Sequence, residues 1–387
     1  MTHLFPAGIT PAVLQDDDEA LRPAIRQFLV AETSNIPPDR RARSWSGFDA
    51  AFSRRLAAAG FLGLTIPRQY GGQERGTFAR YIVTEELLNF GAPVGAHWIA
   101  DRQSGPLILK YGTEMQKQFY LPPICRGESF FCIGMSEPNS GSDLASVRTK
   151  AVRDGRGWVL NGQKIWTTHG HSCHFMIALV RTSGQSEDRQ QGLSQMILDL
   201  RLPGITRRPI IDLTGDAHFS EVFFNDVRLS GDSLLGSEGR GWDQVTAELA
   251  FERSGCERFY SCMVLVDEWL HWIRHAPERR VSSERLAGLI VSRLAPIRAL
   301  SISITSRIDA AESPAVEAAL VKDLGTTLEQ EIPALIADDI YSDPTRTPPL
   351  GLLLTLEYST LAAASYSLRG GTREILRGMI ARGLGLR

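Results

Sequence analysis

The sequence predicts an α+β protein with helical ends and a strand-rich middle, and three regimes of hydrophobic spacing predict it. From Asp16 to about Cys125 apolar residues recur at three and four, from Ser129 to about Leu229 at two, and from Gly241 onward at three and four again. A βαβ order is absent, which disfavours a doubly wound dinucleotide fold. At 387 residues the chain exceeds one ordinary core, so two or three domains are expected. The motifs place the boundaries at an N-terminal helical domain over 1–126, a barrel-like β domain over 127–232 and a C-terminal helical domain over 233–387.

In the first regime, Phe52 with Leu56, Phe61 with Leu64, and Val83, Leu87 and Phe90 have helical spacing. Breaks fall at Asn35-Ile36-Pro37-Pro38, at Tyr70-Gly71-Gly72 and at Tyr111-Gly112, where Gly and Pro supply turn geometry. Thr113 followed by Gln116 makes a capping box that opens a helix over Glu114 to Phe119.

In the second regime, Trp158 to Trp166 reads as a hairpin whose turn is Asn161-Gly162. Further strands are expected over Phe175 to Val180, Ser194 to Leu198 and Glu221 to Phe224. In the third, Trp242 to about Ile273 holds no Pro and one isolated Gly, Gly255, which permits one long helix. A Pro-punctuated loop at Asp343 to Pro349 precedes the last helices. The apolar stretch Gly351 to Leu368 is interrupted by Glu357, Ser359, Thr360 and Ser365, whereas a membrane span needs ~20 apolar residues. A core helix is expected there.

Charge is balanced, with 42 Lys+Arg against 44 Asp+Glu, so no basic surplus favours a nucleic-acid partner. Met1 to Pro11 lacks the basic-then-apolar order of a secretory signal, and no membrane partner is expected. Five cysteines, Cys125, Cys132, Cys173, Cys256 and Cys262, show no CxxC spacing, which fits a reducing cytoplasm. His169, His171 and His174 invite a metal reading, but no carboxylate or Cys with ligand spacing accompanies them, and a loop at a pocket mouth is the better assignment.

The segment Gly134-Met135-Ser136-Glu137-Pro138-Asn139-Ser140-Gly141-Ser142-Asp143 is rich in turn formers. It reads either as a surface loop or as a nest of backbone N–H groups for a phosphate. Together with Asn161-Gly162-Gln163-Lys164-Ile165-Trp166-Thr167-Thr168, it closely resembles the acyl-CoA dehydrogenase family. Further matches are Gly60-Phe61 with Tyr70-Gly71-Gly72, Tyr111-Gly112-Thr113, Glu221 to Val227, Gly239-Arg240-Gly241-Trp242 and Gly370-Gly371-Thr372-Arg373-Glu374-Ile375. The ordered set spans nearly the whole chain.

The resemblance implies a helical N-terminal domain, a middle β domain and a C-terminal four-helix bundle. It also implies FAD and the α,β-dehydrogenation of an acyl-CoA thioester to the trans-2-enoyl-CoA, as in fatty acid or steroid side-chain β-oxidation. By it, Trp166 lies against the flavin and Thr168 near its N5, while Met135 and Ser136 reach the pyrimidine side. Gly141 and Ser142 approach the pyrophosphate, Gly371 and Thr372 complete the cofactor site, and Ser142, Arg253 and Gly370 face substrate. An electron-transfer flavoprotein is the implied acceptor.

The reaction needs a desolvated carboxylate at Cα and a polarised thioester carbonyl. Many family members take the base from a Glu directly before Gly-Thr near the C-terminus. Here Arg369-Gly370-Gly371-Thr372 puts Gly370 in that place, where it cannot act as a base. A smaller set, including isovaleryl-CoA dehydrogenase and many bacterial members, takes it from the helix after the β domain, and the matching residue is Glu252. Glu248, one turn earlier, is the alternative base. Glu374 reads instead as a helix N-terminal acid, and Arg253 as a partner in a structural ion pair. Trp98, Asp101, Arg102 and Gln103 are candidates for shaping the acyl pocket.

Two departures concern the adenosine end of FAD. Ile273 to Arg280 replaces the family's Arg-x-x-Phe-Gly, and no Gln-x-x-Gly-Gly precedes Arg369. Members with bulky or steroid substrates can divide the cofactor site between unlike subunits. A homotetramer or an α2β2 heterotetramer is therefore expected, and a non-catalytic partner subunit or an oxygen-using oxidase or monooxygenase of the same fold are the rival functions.

Overall fold

A computed structural model describes residues 11–310 and 312–386, with residues 247–252 described by their backbone alone. The chain folds into two compact units assembled from separated segments. One contains Phe48–Arg75 and Val94–Glu248; the other contains the chain up to Gly47, Gly76–Pro93 and Leu249–Arg387.

The first unit is built on an eight-stranded sheet: β1 (Phe131–Gly134), β2 (Lys150–Asp154), β3 (Gly157–Thr168), β4 (Phe175–Arg181), β5 (Leu193–Asp199), β6 (Ile205–Ile210), β7 (Phe219–Leu229) and β8 (Leu234–Leu235). The order is β6-β7-β3-β2-β4-β5-β8, with β1 parallel to β4. Period-two alternation gives the sheet two apolar faces. Cys132, Met176, Ala178, Met196 and Leu198 join Trp158 and Leu160 in one core, while Phe131, Ile177 and Ile197 pack with Leu121 and Ile124 in another.

The helix Glu114–Cys125 starts with the expected capping box and runs past Phe119 through Pro122 and Pro123. Its Gln116 also donates from Nε2 to the carbonyls of Asp232 (2.7 Å) and Leu234 (3.0 Å), tying the cap to β8. Asp49 caps the helix Ala50–Ala58, which carries Phe52 and Leu56 inward. Phe61 and Leu64 do not form a helix, because Gly60 and Gly63 turn the chain there at φ +82° and +66°.

The expected Asn161-Gly162 hairpin is absent: β3 is one continuous strand through both residues. Asn161 stands opposite a bulge in β7, where its side chain accepts from Asp226 N (2.9 Å) and donates to Asp226 Oδ1 (3.0 Å). Gly162 backs so closely on Thr149 that a Cβ there would lie 2.6 Å from Thr149 Oγ1. The real hairpin turn is Gly155-Arg156, joining β2 to β3 with Gly155 at φ +59°.

The second unit is helical, and its main elements include Arg22–Thr33, Thr77–Asn89, Met263–Arg274, Val281–Asp309, Ala315–Tyr341, Leu350–Tyr366 and Arg373–Gly383. The helix Val281–Asp309 is long and apolar enough to cross a membrane, and it packs on Ala315–Tyr341 and Thr77–Asn89 within this unit. Leu350–Tyr366 is the expected core helix, burying Leu352, Leu356 and Tyr366. Buried Glu85 is held by Arg22 (2.6 Å), by Arg298 (2.5 Å) and by the Tyr260 hydroxyl (3.1 Å), which keeps its carboxyl below the usual range.

The single long helix expected after Trp242 is instead two. Gly241–Ser254 ends at Gly255, which adopts an extended conformation, and Met263–Arg274 begins after a short 3₁₀ turn at Cys256–Arg258. A Cβ on Gly255 would meet the Glu257 carboxylate, so the glycine permits the break.

Candidate functional site

The candidate residues fall into two groups, one in each unit. In the first, the loop after β1 runs beside the end of β3. Glu137 and Ser140 exchange backbone hydrogen bonds (2.9 and 3.0 Å) that close the Pro138-Asn139 turn, and Ile165 N donates to Ser136 O at 2.9 Å. Beneath this contact Lys164, fully buried, donates from Nζ to Glu137 Oε1 (2.8 Å) and to Met135 O (3.0 Å). The Glu137 carboxylate also accepts the amides of Arg148 (2.7 Å) and Thr149 (2.9 Å).

This pairing shifts both groups. Burial pulls the Lys164 ammonium down to about 8 despite its partner. At Glu137 burial acts upward, but the charge and hydrogen bond of Lys164 and the hydrogen bonds from Thr149 and Arg148 outweigh it and keep the carboxyl below the ordinary value. Asp143 is likewise lowered, by the Arg189 guanidinium that grips it through two hydrogen bonds (2.9 and 2.5 Å).

The direction of Trp166 follows from a bulge. Lys164 pairs with Val222 and Thr167 with Ser220, so Ile165 and Trp166 together stand opposite Glu221. In a regular strand Trp166 would share the inward face of Trp158, Leu160 and Lys164. The extra residue reverses the alternation: Thr167 is buried, Thr168 half-buried, and the Trp166 indole 56% exposed at φ +59°. Phe219 packs edge-on against that indole, 5.8 Å between ring centroids.

A flat conjugated ring fits these residues: an exposed indole face, a hydroxyl two residues on at Thr168, and Met135 and Ser136 brought alongside by the loop contact. Gly141 and Ser142 are exposed, and a Cβ on Gly141 would meet nothing within 4 Å.

The second group surrounds the diglycine turn. Gly370 and Gly371 adopt φ +67° and +101°, and Thr372 caps the helix Arg373–Gly383, placing Glu374 in its first turn as expected. Arg253, 6% exposed, donates to Gly370 O (3.0 Å) and to Met379 Sδ (3.3 Å), and Lys322 Nζ donates to Gly371 O (2.8 Å). Arg369 lies half-buried between the Trp45 and Tyr366 rings and reaches Glu329 (3.0 Å) and Ser261 (2.7 Å).

Glu252 lies in the last turn of Gly241–Ser254; its side chain and that of Glu248 lie outside the described residues.

The histidines are engaged in the β unit. His171 Nδ1 bonds Ser220 Oγ (2.8 Å), Phe130 N donates to His174 Nδ1 (3.1 Å), and His169 N donates to His218 O (2.9 Å). Asp101 and Arg102 sit in a π-helical turn, Ala100–Ser104, where Asp101 accepts from Gly63 N (2.8 Å) and Arg102 covers the Trp98 ring. The sequence reading missed the Lys164–Glu137 pair. Its signal was available: Lys164 has the parity of Trp158 and Leu160, an inward position that a lysine occupies only with a partner.

Residues 15–128 match the acyl-CoA dehydrogenase N-terminal domain and residues 132–227 the acyl-CoA dehydrogenase middle domain. The chain is 34% identical over 342 residues to the acyl-CoA dehydrogenase IpdE1 of Mycobacterium tuberculosis, covering 87% of each protein. Among solved structures, the Tcur3481–Tcur3483 steroid ACAD matches with a TM-score of 0.83 at 26% identity, covering 97% of this chain and 99% of that one. The ChsE4–ChsE5 complex from Mycobacterium tuberculosis matches at 0.83 and 28% identity, covering 98% and 100%.

Proposed function

The chain belongs to the acyl-CoA dehydrogenase family, and from that premise we propose that it catalyses the FAD-dependent α,β-dehydrogenation of an acyl-CoA thioester with Glu252 as base. The observation that carries the cofactor reading is the outward Trp166 on the β3 bulge, beside Thr168 and the Ser136 loop. FAD, when bound, supplies the hydride acceptor for the substrate Cβ.

Trp166 would cover one ring face and exclude water from it, and the Thr168 hydroxyl would be placed to donate a hydrogen bond to the ring. Ser136 would border the pyrimidine side and Ser142 the pyrophosphate, and Met135, Gly141, Gly371 and Thr372 are the further residues proposed for cofactor binding. Glu252 takes the α-proton onto its carboxylate. Arg253 and Gly370, the latter without a side chain, are the residues proposed to border the substrate.

The named steroid ACAD relative supports a bulky, ring-bearing acyl group for this chain too. The two-protein names of the solved relatives, and the replacement of the adenosine motif by Ile273 to Arg280, support an α2β2 assembly over a homotetramer. Electron-transfer flavoprotein is the proposed acceptor. The five buried cysteines, none in a disulfide, support a reducing, cytoplasmic setting.

Purifying the chain alone and titrating it with acyl-CoAs of different length, branching and ring content tests the reading. Stoichiometric flavin absorbance that bleaches with an acyl-CoA is expected. A colourless, inactive chain that gains both properties only with a second subunit supports the partner-subunit reading instead.

A further inference from the structure

The Trp166 indole faces outward because one extra residue is accommodated between Lys164 and Thr167. Such a bulge is not self-sustaining. Trp166 sits at a left-handed φ that a bulky residue avoids, and a slip of one residue would restore regular pairing and turn the indole inward. Something must hold the register on the Lys164 side. Three contacts converge there: Lys164 Nζ to Glu137, Lys164 Nζ to Met135 O, and Ile165 N to Ser136 O.

We propose that the buried Lys164–Glu137 pair is a positioning device that locks the β3 bulge and thereby holds Trp166 outward, next to the Ser136 loop. Its importance for cofactor binding rests on the reading of Trp166 as flavin-facing, but the lock itself is a claim about the protein alone. The ammonium cannot leave without abandoning a carboxylate that is 8% exposed, and the carboxylate is fixed in turn by the amides of Arg148 and Thr149. One ion pair therefore couples the loop after β1, the start of β2 and the end of β3.

The lock is also titratable. Glu137 is the acid hydrogen-bonded to Lys164, and Arg181 on β4 lies within electrostatic reach of the same carboxylate. With Lys164 pulled down to about 8, mildly alkaline solution removes its charge while the Trp166 ring itself does not titrate.

The test is ¹⁹F NMR of the full chain labelled with 5-fluorotryptophan, with and without FAD. The Trp166 resonance is identified by its loss in Trp166→Phe. In Glu137→Gln that resonance is expected to shift or broaden while those of the other tryptophans stay, and the FAD dissociation constant is expected to rise about tenfold. Lys164→Met should do the same; if it does not accumulate folded, a titration of the unmodified protein from neutral to about pH 9.5 replaces it, with the Trp166 resonance moving around the midpoint of Lys164. A moved resonance with unchanged FAD affinity supports the lock and removes flavin from Trp166. An unmoved resonance in Glu137→Gln and across the titration overturns the lock, whatever happens to FAD.

Discussion

Nε of Arg253 donates to the carbonyl of Gly370 at 3.0 Å, so the residue following Glu252 in the chain grips the first glycine of the diglycine turn. The helix that carries the proposed base is thus tied to the turn that carries Gly370 by one hydrogen bond. Arg253 carries that bond from a buried position, where a charged donor matters most.

Replacing Arg253 with Met removes a charged hydrogen bond to a carbonyl and keeps much of the packing. Urea denaturation should show a loss of about 1.5–3 kcal/mol, accompanied by a fall in kcat. An unchanged midpoint would mean that the turn holds without Arg253.

Gly371 should resist substitution for a reason of backbone and not of space. A Cβ there would meet nothing closer than Arg253 Nη2 at 3.5 Å, yet φ is +101°, where side chains are strained. Gly371→Ala is expected to cost about 1–3 kcal/mol in the same assay. Gly141→Ala, at a position with open space and no positive φ, is the control that should change stability little.

His97 predicts an acid-sensitive step in the β unit. It is fully buried, shares a 2.8 Å hydrogen bond with Ser53 Oγ, and burial pushes its pKa down from 6.5 to about 3. The unfolded chain therefore binds a proton below 6.5 that the folded chain refuses until about 3, and stability falls as pH drops through that window. By pH 5 the loss from this group is about 2 kcal/mol. Thermal melts of His97→Gln against the parent should show a shallower pH slope between those limits; equal slopes would remove His97 as the cause.

How far the sequence could be read depended on how local each signal was. Thr113 and Gln116 form their capping box with each other, and the reading was right. Asn161-Gly162 carries the strongest local turn signal, but Asp226 and Thr149, distant in sequence, hold those residues in a strand. Gly255 looked like one tolerated glycine in a long helix; the Glu257 carboxylate packed against it makes it a break. The family resemblance singled out Trp166 and Thr168, whereas the bulge that exposes Trp166 was not legible, since it depends on pairing with β7. Lys164 and Glu137 are 27 residues apart, and nothing local joins them.

Abstraction of the α-proton by Glu252 is tested by rapid mixing of flavin-loaded Glu252→Gln with an acyl-CoA that bleaches the parent, with Glu248→Gln as comparison. Glu252→Gln is expected to retain its FAD and its melting temperature but to bleach at least about 10³-fold more slowly, while Glu248→Gln bleaches near the parent rate. Bleaching of Glu252→Gln at the parent rate, with the loss appearing in Glu248→Gln, would contradict it.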